Sequence, residues 1–213
     1  MADPKMASLI STILEGDCDG SLVNAKKLIE SGVSSENIVV RGLEEAMSAL
    51  DAKCTLEQFN LLEIMLAGRA VTAVMKLLYP SGEPAGTPKG TVVIATLEGD
   101  VHDLGKNILK MVLTGKGYRV VDCGKDCPLS KLIEATAREK PTAIGLSGLI
   151  TPVIGQVKQV RSLLDENKLN YVKIIAGGAA LKQSSPDKLN VDFVAESAFD
   201  CLHYLEELTG EAE

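Results

Sequence analysis

The chain has no tryptophan, and aromatic residues fill only 3% of its 213 positions. A protein that stacks bases of single-stranded nucleic acid needs such rings as platforms, so the composition argues against that function. Positive charge is in deficit too: 22 Lys and Arg stand against 29 Asp and Glu, for a formal net charge of −7. That balance disfavours phosphate backbones and anionic membrane surfaces as partners. No apolar run approaches the roughly 18 residues of a membrane-spanning helix. Met1-Ala2-Asp3-Pro4-Lys5 lacks the charged-then-apolar layout of a signal peptide. A cytoplasmic location is expected, with no nucleic acid and no membrane among the partners. The five cysteines, Cys18, Cys54, Cys123, Cys127 and Cys201, are odd in number, scattered, and include no CxxC pair. They read as reduced thiols, not as a disulfide frame or a zinc site.

What is present divides the chain in two. Residues 1–78 carry helical patterns and almost no strand-like alternation. A first helix opens at Asp3-Pro4, with Ile10, Ile13 and Leu14 on one face, and Gly16 ends it. A second runs from about Gly20 to Ser31. Ser34 or Ser35 can cap a third, which carries Ile38, Val39, Leu43, Ala46, Met47 and Leu50. Thr55 and Gln58 form a capping box for a fourth. Its apolar residues, Leu61 to Leu77, cover more than one face, which suits contact with a second domain, cover for a flat apolar ligand, or both. Residues 79–90 hold three Pro and three Gly and form a linker. From 91 to 213, apolar strand runs alternate with helical periods: strands are expected at Thr91–Leu97, Tyr118–Cys123, Thr142–Ser147, Tyr171–Ala176 and Val191–Ala195. The expected fold is α/β: an N-terminal four-helix bundle, then a flavodoxin-like doubly wound five-stranded parallel sheet of order 2-1-3-4-5. In that order a crevice opens between strands 1 and 3, beyond their carboxyl ends.

Two polar loops meet at that crevice. Glu98-Gly99-Asp100-Val101-His102-Asp103-Leu104-Gly105 follows strand 1, and Ser147-Gly148-Leu149-Ile150-Thr151 follows strand 3. Asp100 can take the Nδ1 proton of His102 and leave Nε2 for a metal. Alone, Asp-x-His also suits a loop histidine that only caps the next helix. A Ser-His-Asp hydrolase is disfavoured, because no serine sits on a G-x-S-x-G elbow. Gly99 and Gly105 fit neither a Walker nor a dinucleotide fingerprint. With one histidine here, a metal that brings its own equatorial ligands and needs a single protein nitrogen fits better than one held wholly by the chain.

Asp100-Val101-His102-Asp103-Leu104-Gly105, then 41 residues, Ser147-Gly148-Leu149, then 27 residues, Gly177-Gly178, resembles the cobalamin-binding signature of B12-dependent methyltransferases. Leu146 to Pro152 looks like methionine synthase, and Phe59 to Pro80 looks like the last helix of that family's cap domain. The size and the two domains resemble the corrinoid proteins of three-component methyltransferase systems. The resemblance implies a cobalamin cofactor (a corrinoid with cobalt, cycling through methylcobalamin) bound base-off/His-on. It implies His102 as lower axial metal ligand, with Asp100 and Ser147 as the relay behind it that adjusts donor strength. The remaining cofactor contacts would come from Gly99, Val101, Asp103, Leu104, Gly105, Leu149, Thr151, Gly177 and Gly178, with Ser197 a weaker candidate. Glu196 departs from the Asp or Asn of many relatives. The implied function is a methyl carrier between a substrate-specific methyltransferase and a second methyltransferase acting on tetrahydrofolate or a thiol, with a corrinoid-reactivating protein as a further partner. Residues 1–78 would cover the methyl-bearing face, with 79–90 as a hinge. A B12-binding sensor or regulator and the small subunit of an adenosylcobalamin mutase are the competing readings. The absence of a DNA-binding segment argues against the first, and the helical front against the second.

Overall fold

The computed structural model describes residues 4–43, 45–47, 49–50, 61–80 and 87–210. The chain forms two compact units, Met1–Pro88 with Met111–Gly117, and Lys89–Lys110 with Tyr118–Glu213. In the first, α1 (Pro4–Leu14) buries Met6, Leu9 and Ile13, at the spacing of one helical face. Helix α2 (Cys18–Glu30) starts earlier than its apolar pattern suggests. Asp17, and not the region of Gly20, is the punctuation: its side chain accepts from Gly20 N–H at 2.9 Å. Ser34 caps α3 (Ser35–Ile38), its hydroxyl accepting from Asn37 N–H. The third helix is not continuous: a π-helical turn, Val39–Leu43, follows α3, and helix resumes at 45–47 and 49–50. Gly42 in that turn is buried against α1, where a Cβ would lie 3.0 Å from both Leu9 Cδ2 and Met6 Sδ. Helix α4 (Leu61–Leu78) buries Ile64, Ala67, Ala70, Val71 and Val74. The Thr55–Gln58 capping box, Phe59, Cys54 and the middle of the linker lie outside the described residues.

The second unit is a parallel sheet of order β2-β1-β3-β4-β5, as expected. Its strands are β1 (Thr91–Thr96), β2 (Arg119–Asp122), β3 (Ala143–Ser147), β4 (Lys173–Gly177) and β5 (Phe193–Ala195). Helices α5 (Leu104–Gly115), α6 (Leu129–Glu139), α7 (Ile154–Glu166), α8 (Pro186–Leu189) and α9 (Ala198–Thr209) connect and follow them. Five of the six β1 residues are buried, the near-continuous apolar run of a strand covered on both faces. One face packs Val93, Ala95, Ile144, Leu146, Ile174 and Ala176 against Leu132 of α6 and Val157, Val160 and Leu164 of α7. On the other, a Cβ on Gly145 would meet Leu109 of α5 and Ile94.

Two strands start two residues later than expected. Strand β4 begins at Lys173 and not at Tyr171, which is an exposed turn residue. Strand β5 begins after Asp192, whose carboxylate instead gathers Ile174 N–H at 2.8 Å, Lys173 Nζ at 3.0 Å and Arg161. The piece between β4 and β5 also contains α8, too short for a 3.6-residue period to register.

The register sets one row across the sheet: Thr96 pairs with Ser147, Ser147 with Gly177, and Gly177 with Ala195. All four stand at carboxyl ends, where the ligand-binding loops of such a sheet begin. One further device fixes this end. Lys106 of α5 is 3% exposed, and its ammonium donates to Asp122 Oδ1 and Oδ2 at 2.7 and 2.9 Å and to Asn107 Oδ1 at 3.0 Å. Removing the carboxylate strands a buried charge. Asp122→Ala should therefore lose about 3 kcal/mol in urea denaturation, whereas Lys106→Met should stay within about 1.5 kcal/mol of the parent. Equal losses for the two would show that the pair is not buried in solution.

Candidate cofactor site

The loop between β1 and α5 carries the candidate histidine, and Asp100 organises it. Asp100 has no solvent exposure, whereas the His102 side chain is 53% exposed. Asp100 Oδ1 accepts from His102 N–H at 2.9 Å and pairs with His102 Nδ1 at 2.8 Å. Its Oδ2 accepts from Leu149 N–H at 2.7 Å. The carboxylate thus bonds both loops of the crevice. Burial alone would raise its pKa. The hydrogen bonds from Leu149, His102 and Ile150 outweigh burial and hold it below the ordinary value. An ionised carboxylate can only accept, so in the neutral ring Nδ1 carries the proton and Nε2 keeps its lone pair.

The other candidates fall around this pair. Gly99 has φ +87°, a conformation that favours glycine. Val101 and Leu149 are exposed apolar side chains flanking the imidazole in sequence and across the crevice. The Asp103 carbonyl accepts from Asn107 N–H at 2.9 Å and so opens α5. Leu104 is the first residue of α5, its side chain outside the described part. Gly105 follows, where a Cβ would lie 3.6 Å from Ser147 Oγ. Thr151 is exposed and starts a 3-10 turn, Thr151–Val153. Gly177 closes β4, and a Cβ there would meet Ala195 O at 3.4 Å. Gly178 has φ +100°, and a Cβ would lie 2.5 Å from Gly148 O, so the two loops cross there at backbone distance.

The structure adds detail at two of the expected residues. No hydrogen bond joins Ser147 Oγ to Asp100 among the described residues. The backbone of Leu149 takes that place, because the β3 pleat turns Ser147 towards Gly105 of α5. Ser197 is occupied as the N-cap of α9: its hydroxyl accepts from Asp200 N–H at 3.1 Å, and Asp200 Oδ2 accepts from Ser197 N–H at 2.9 Å. Glu196 is exposed, with an oxygen 3.7 Å from Lys182 Nζ. Residues the spacing did not reveal also touch the histidine loop. Asp126 Oδ1 accepts from Gly99 N–H at 2.8 Å, and Gln156 Nε2 donates to Glu98 O at 2.7 Å. Only the positive φ that Asp126 adopts within Gly124-Lys125-Asp126 hints at its part, and no motif covers Gln156.

The donor set suits a group that needs one nitrogen: among the described residues no cluster of three His, Cys, Asp or Glu could hold a metal ion. A buried hydroxyl in the same row awaits a partner. Thr96 Oγ1 has no hydrogen bond among the described residues and pairs in register with Ser147. Small residues continue the row at Gly177 and Ala195. Lone imidazole, orphaned hydroxyl and small-residue row together fit a bulky corrinoid.

A doubly wound sheet with a single exposed imidazole at its switch point defines a ligand-carrying α/β unit joined to a helical one. The family profile described as B12 binding domain matches residues 90–201, more than half of the chain. Dimethylamine corrinoid protein 3 of Methanosarcina acetivorans is 34% identical over 190 residues, covering 88% of this chain and 89% of that protein. The trimethylamine corrinoid protein of Methanosarcina barkeri is 29% identical over 182 residues, with 84% of each covered. The solved methanol:cobalamin methyltransferase complex of Methanosarcina barkeri matches with TM-score 0.86 and 25% identity, over 99% of this chain and 81% of that one. A cobalamin-binding protein of Desulfitobacterium hafniense shares the fold, with TM-score 0.76 and 21% identity over 97% and 98%. The chain belongs to the B12-binding family, among the corrinoid proteins of methyltransferase systems, and cobalamin is its cofactor. Among the described residues no helix is long and apolar enough to cross a membrane.

The loop crossing predicts that Gly178→Ala loses about 2 kcal/mol or more in thermal or urea unfolding, since both the positive φ and the Gly148 carbonyl oppose a Cβ. A loss under about 0.5 kcal/mol would mean that the loops do not cross so closely. For Asp100, the folded pKa lies below the unfolded one. Its ionised form therefore stabilises the fold above the unfolded value near ~4, and that contribution is lost as pH falls through the folded value. Asp100→Asn should be less stable at neutral pH and show a shallower decline of stability between about pH 5 and 2. An unchanged decline would mean that the carboxylate is not held by these bonds.

Proposed function

We propose that this chain carries methyl groups on cobalamin between two methyltransferases, with His102 Nε2 as the lower axial donor in a base-off/His-on arrangement. The observation that carries the reading is the exposed imidazole whose Nδ1 is bound to a buried, ionised Asp100. When bound, cobalamin supplies a cobalt centre that accepts and releases a methyl group. The chain's residues tune and house it. Asp100 holds the proton on Nδ1, which fixes the tautomer and the ring orientation and leaves the Nε2 lone pair free. Val101 and Leu149 offer apolar contact beside the imidazole. Gly105, Ser147, Gly177 and Gly178 keep side chains small in the groove, and Thr96 and Ser147 offer it hydroxyls. Ser147 acts in this reading as a groove contact, with the Leu149 backbone as the group behind the carboxylate.

The match over most of the chain, helical front included, favours the carrier over a mutase subunit. Relatives named for dimethylamine and trimethylamine match over most of this chain. The methyl donor is accordingly set by the loading methyltransferase and not by this chain. The unloading enzyme acts on tetrahydrofolate or a thiol, and a reactivating protein restores oxidised cofactor.

Reconstitution with cobalamin, followed by absorbance and electron paramagnetic resonance in the Co(II) state, tests the reading. The parent should show nitrogen coupling from the protein in place of the cofactor's own base. His102→Ala should lose that coupling. Asp100→Ala should keep part of it with about 10- to 100-fold weaker binding. An unchanged spectrum in His102→Ala would remove His102 as the ligand.

A further inference from the structure

The segment Glu98–Asp103 has no helix or strand of its own, so its shape depends on what it is bonded to. Asp100 fixes its downstream half through Leu149. Its upstream half is fixed by the loop that follows β2. The Cys127 carbonyl accepts from Glu98 N–H at 3.0 Å, Asp126 Oδ1 accepts from Gly99 N–H at 2.8 Å, and Asp126 N–H donates to Asp100 O at 3.0 Å. Asp126 therefore holds Gly99-Asp100 at both ends of that dipeptide. Two backbone features make this a specific arrangement. Gly99 sits at φ +87° although nothing lies within 4 Å of its missing Cβ, so it is conformation and not space that requires glycine. Asp126 itself sits at φ +51°, where a non-glycine residue is strained. An exposed aspartate kept at such a φ, with side chain and backbone both engaging one dipeptide, is a clamp.

We propose that Asp126 is a positioning residue for the axial histidine. It holds Gly99 and Asp100 in the conformation that aims the Asp100 carboxylate at the His102 ring, so that the imidazole stands in place before cofactor arrives. The inference rests on the reading of His102 as cobalt ligand, and it adds a residue outside the three-part signature. Its contribution is preorganisation: a loop ordered in the free chain need not be ordered on binding.

Three variants of the full chain test it. Asp126→Gly removes the carboxylate while relieving the positive φ, so it keeps the turn and deletes only the side-chain half of the clamp. Asp126→Asn retains an Oδ1 acceptor for Gly99 N–H. Lys125→Ala, an exposed neighbour, controls for charge and loop. Two readouts apply: amide hydrogen exchange at Gly99 to His102 in the cofactor-free protein, and the share of Co(II)alamin showing histidine nitrogen coupling. In Asp126→Gly, exchange at Gly99 should quicken about tenfold, the equivalent of losing one charge-assisted hydrogen bond. The His-on share should fall and the cobalamin Kd rise about tenfold. Asp126→Asn should restore most of both, and Lys125→Ala should match the parent. Exchange and His-on share unchanged in Asp126→Gly would overturn the proposal. If the parent binds cobalamin without the histidine, the ligand reading fails. The exchange data then still decide whether Asp126 holds the loop.

Discussion

Asp100 keeps a carboxylate with no solvent exposure ionised by giving each oxygen its own donors: the backbone and ring of His102 on one side, the backbone of Leu149 on the other. A buried charge left short of donors costs several kcal/mol. The two loops are therefore not free to drift apart. Separating them would strip Oδ2 of its donor, and turning the imidazole away would strip Oδ1. Because the donors come from the loops after β1 and β3, the carboxylate sits where the strand order reverses. The histidine is exposed, but its orientation is decided underneath, in the interior.

The sheet register makes that possible. Thr96, Ser147, Gly177 and Ala195 form one row, so the loops after β1, β3, β4 and β5 all leave the sheet at one level. Glycine then lets those loops come close. Gly148 N–H donates to Gly177 O, Ala180 N–H donates to Gly148 O, and a Cβ on Gly178 would strike that same carbonyl. The row is also small in side-chain volume, which leaves room above a densely packed core. Lys106 and Asp122 tie the first turn of α5 to the end of β2, so the helix that begins just after His102 is held at its start.

Sequence patterns carry some of this and not the rest, for physical reasons. Long buried strands announce themselves: Thr91–Thr96 and Ala143–Ser147 are unbroken apolar runs between polar loops, and right-handed crossovers leave few strand orders to choose from. Short or edge elements do not. Val172 is fully buried yet outside the strand ladder, so the apolar run begins before β4 itself does. The π-helical turn at Val39–Leu43 keeps apolar residues inward and hides its change of pitch within an ordinary helical pattern. In the site, Asp100 and His102 were legible because they are two residues apart, where a side chain returns to its own loop. Ser147 was legible as a neighbour but not in its direction, which depends on the β3 pleat. Asp126 and Gln156 reach main-chain atoms 27 and 58 residues away. A side chain bonded to distant backbone leaves no residue-type pairing to read.

The contrast between a buried carboxylate and an exposed ring suits the ligand role proposed for His102: the anchor lies inside the fold and the ring at its surface. If the Asp100–His102 pair formed only on binding, the ordering of Glu98–Asp103 would be charged against cofactor affinity. With bonds to Leu149, Asp126, Cys127 and Gln156 already made in the folded chain, that ordering belongs to folding, where the core of the sheet supplies the free energy. The Asp100 carboxylate, held ionised well inside the fold, also removes one source of variation. With Asp100 ionised, Nδ1 of the neutral ring is the hydrogen-bond donor and Nε2 keeps its lone pair. In the proposed carrier role, selectivity for a methyl source has no need to reside near His102. That agrees with sequence matches over most of this chain to relatives named for different methylated amines.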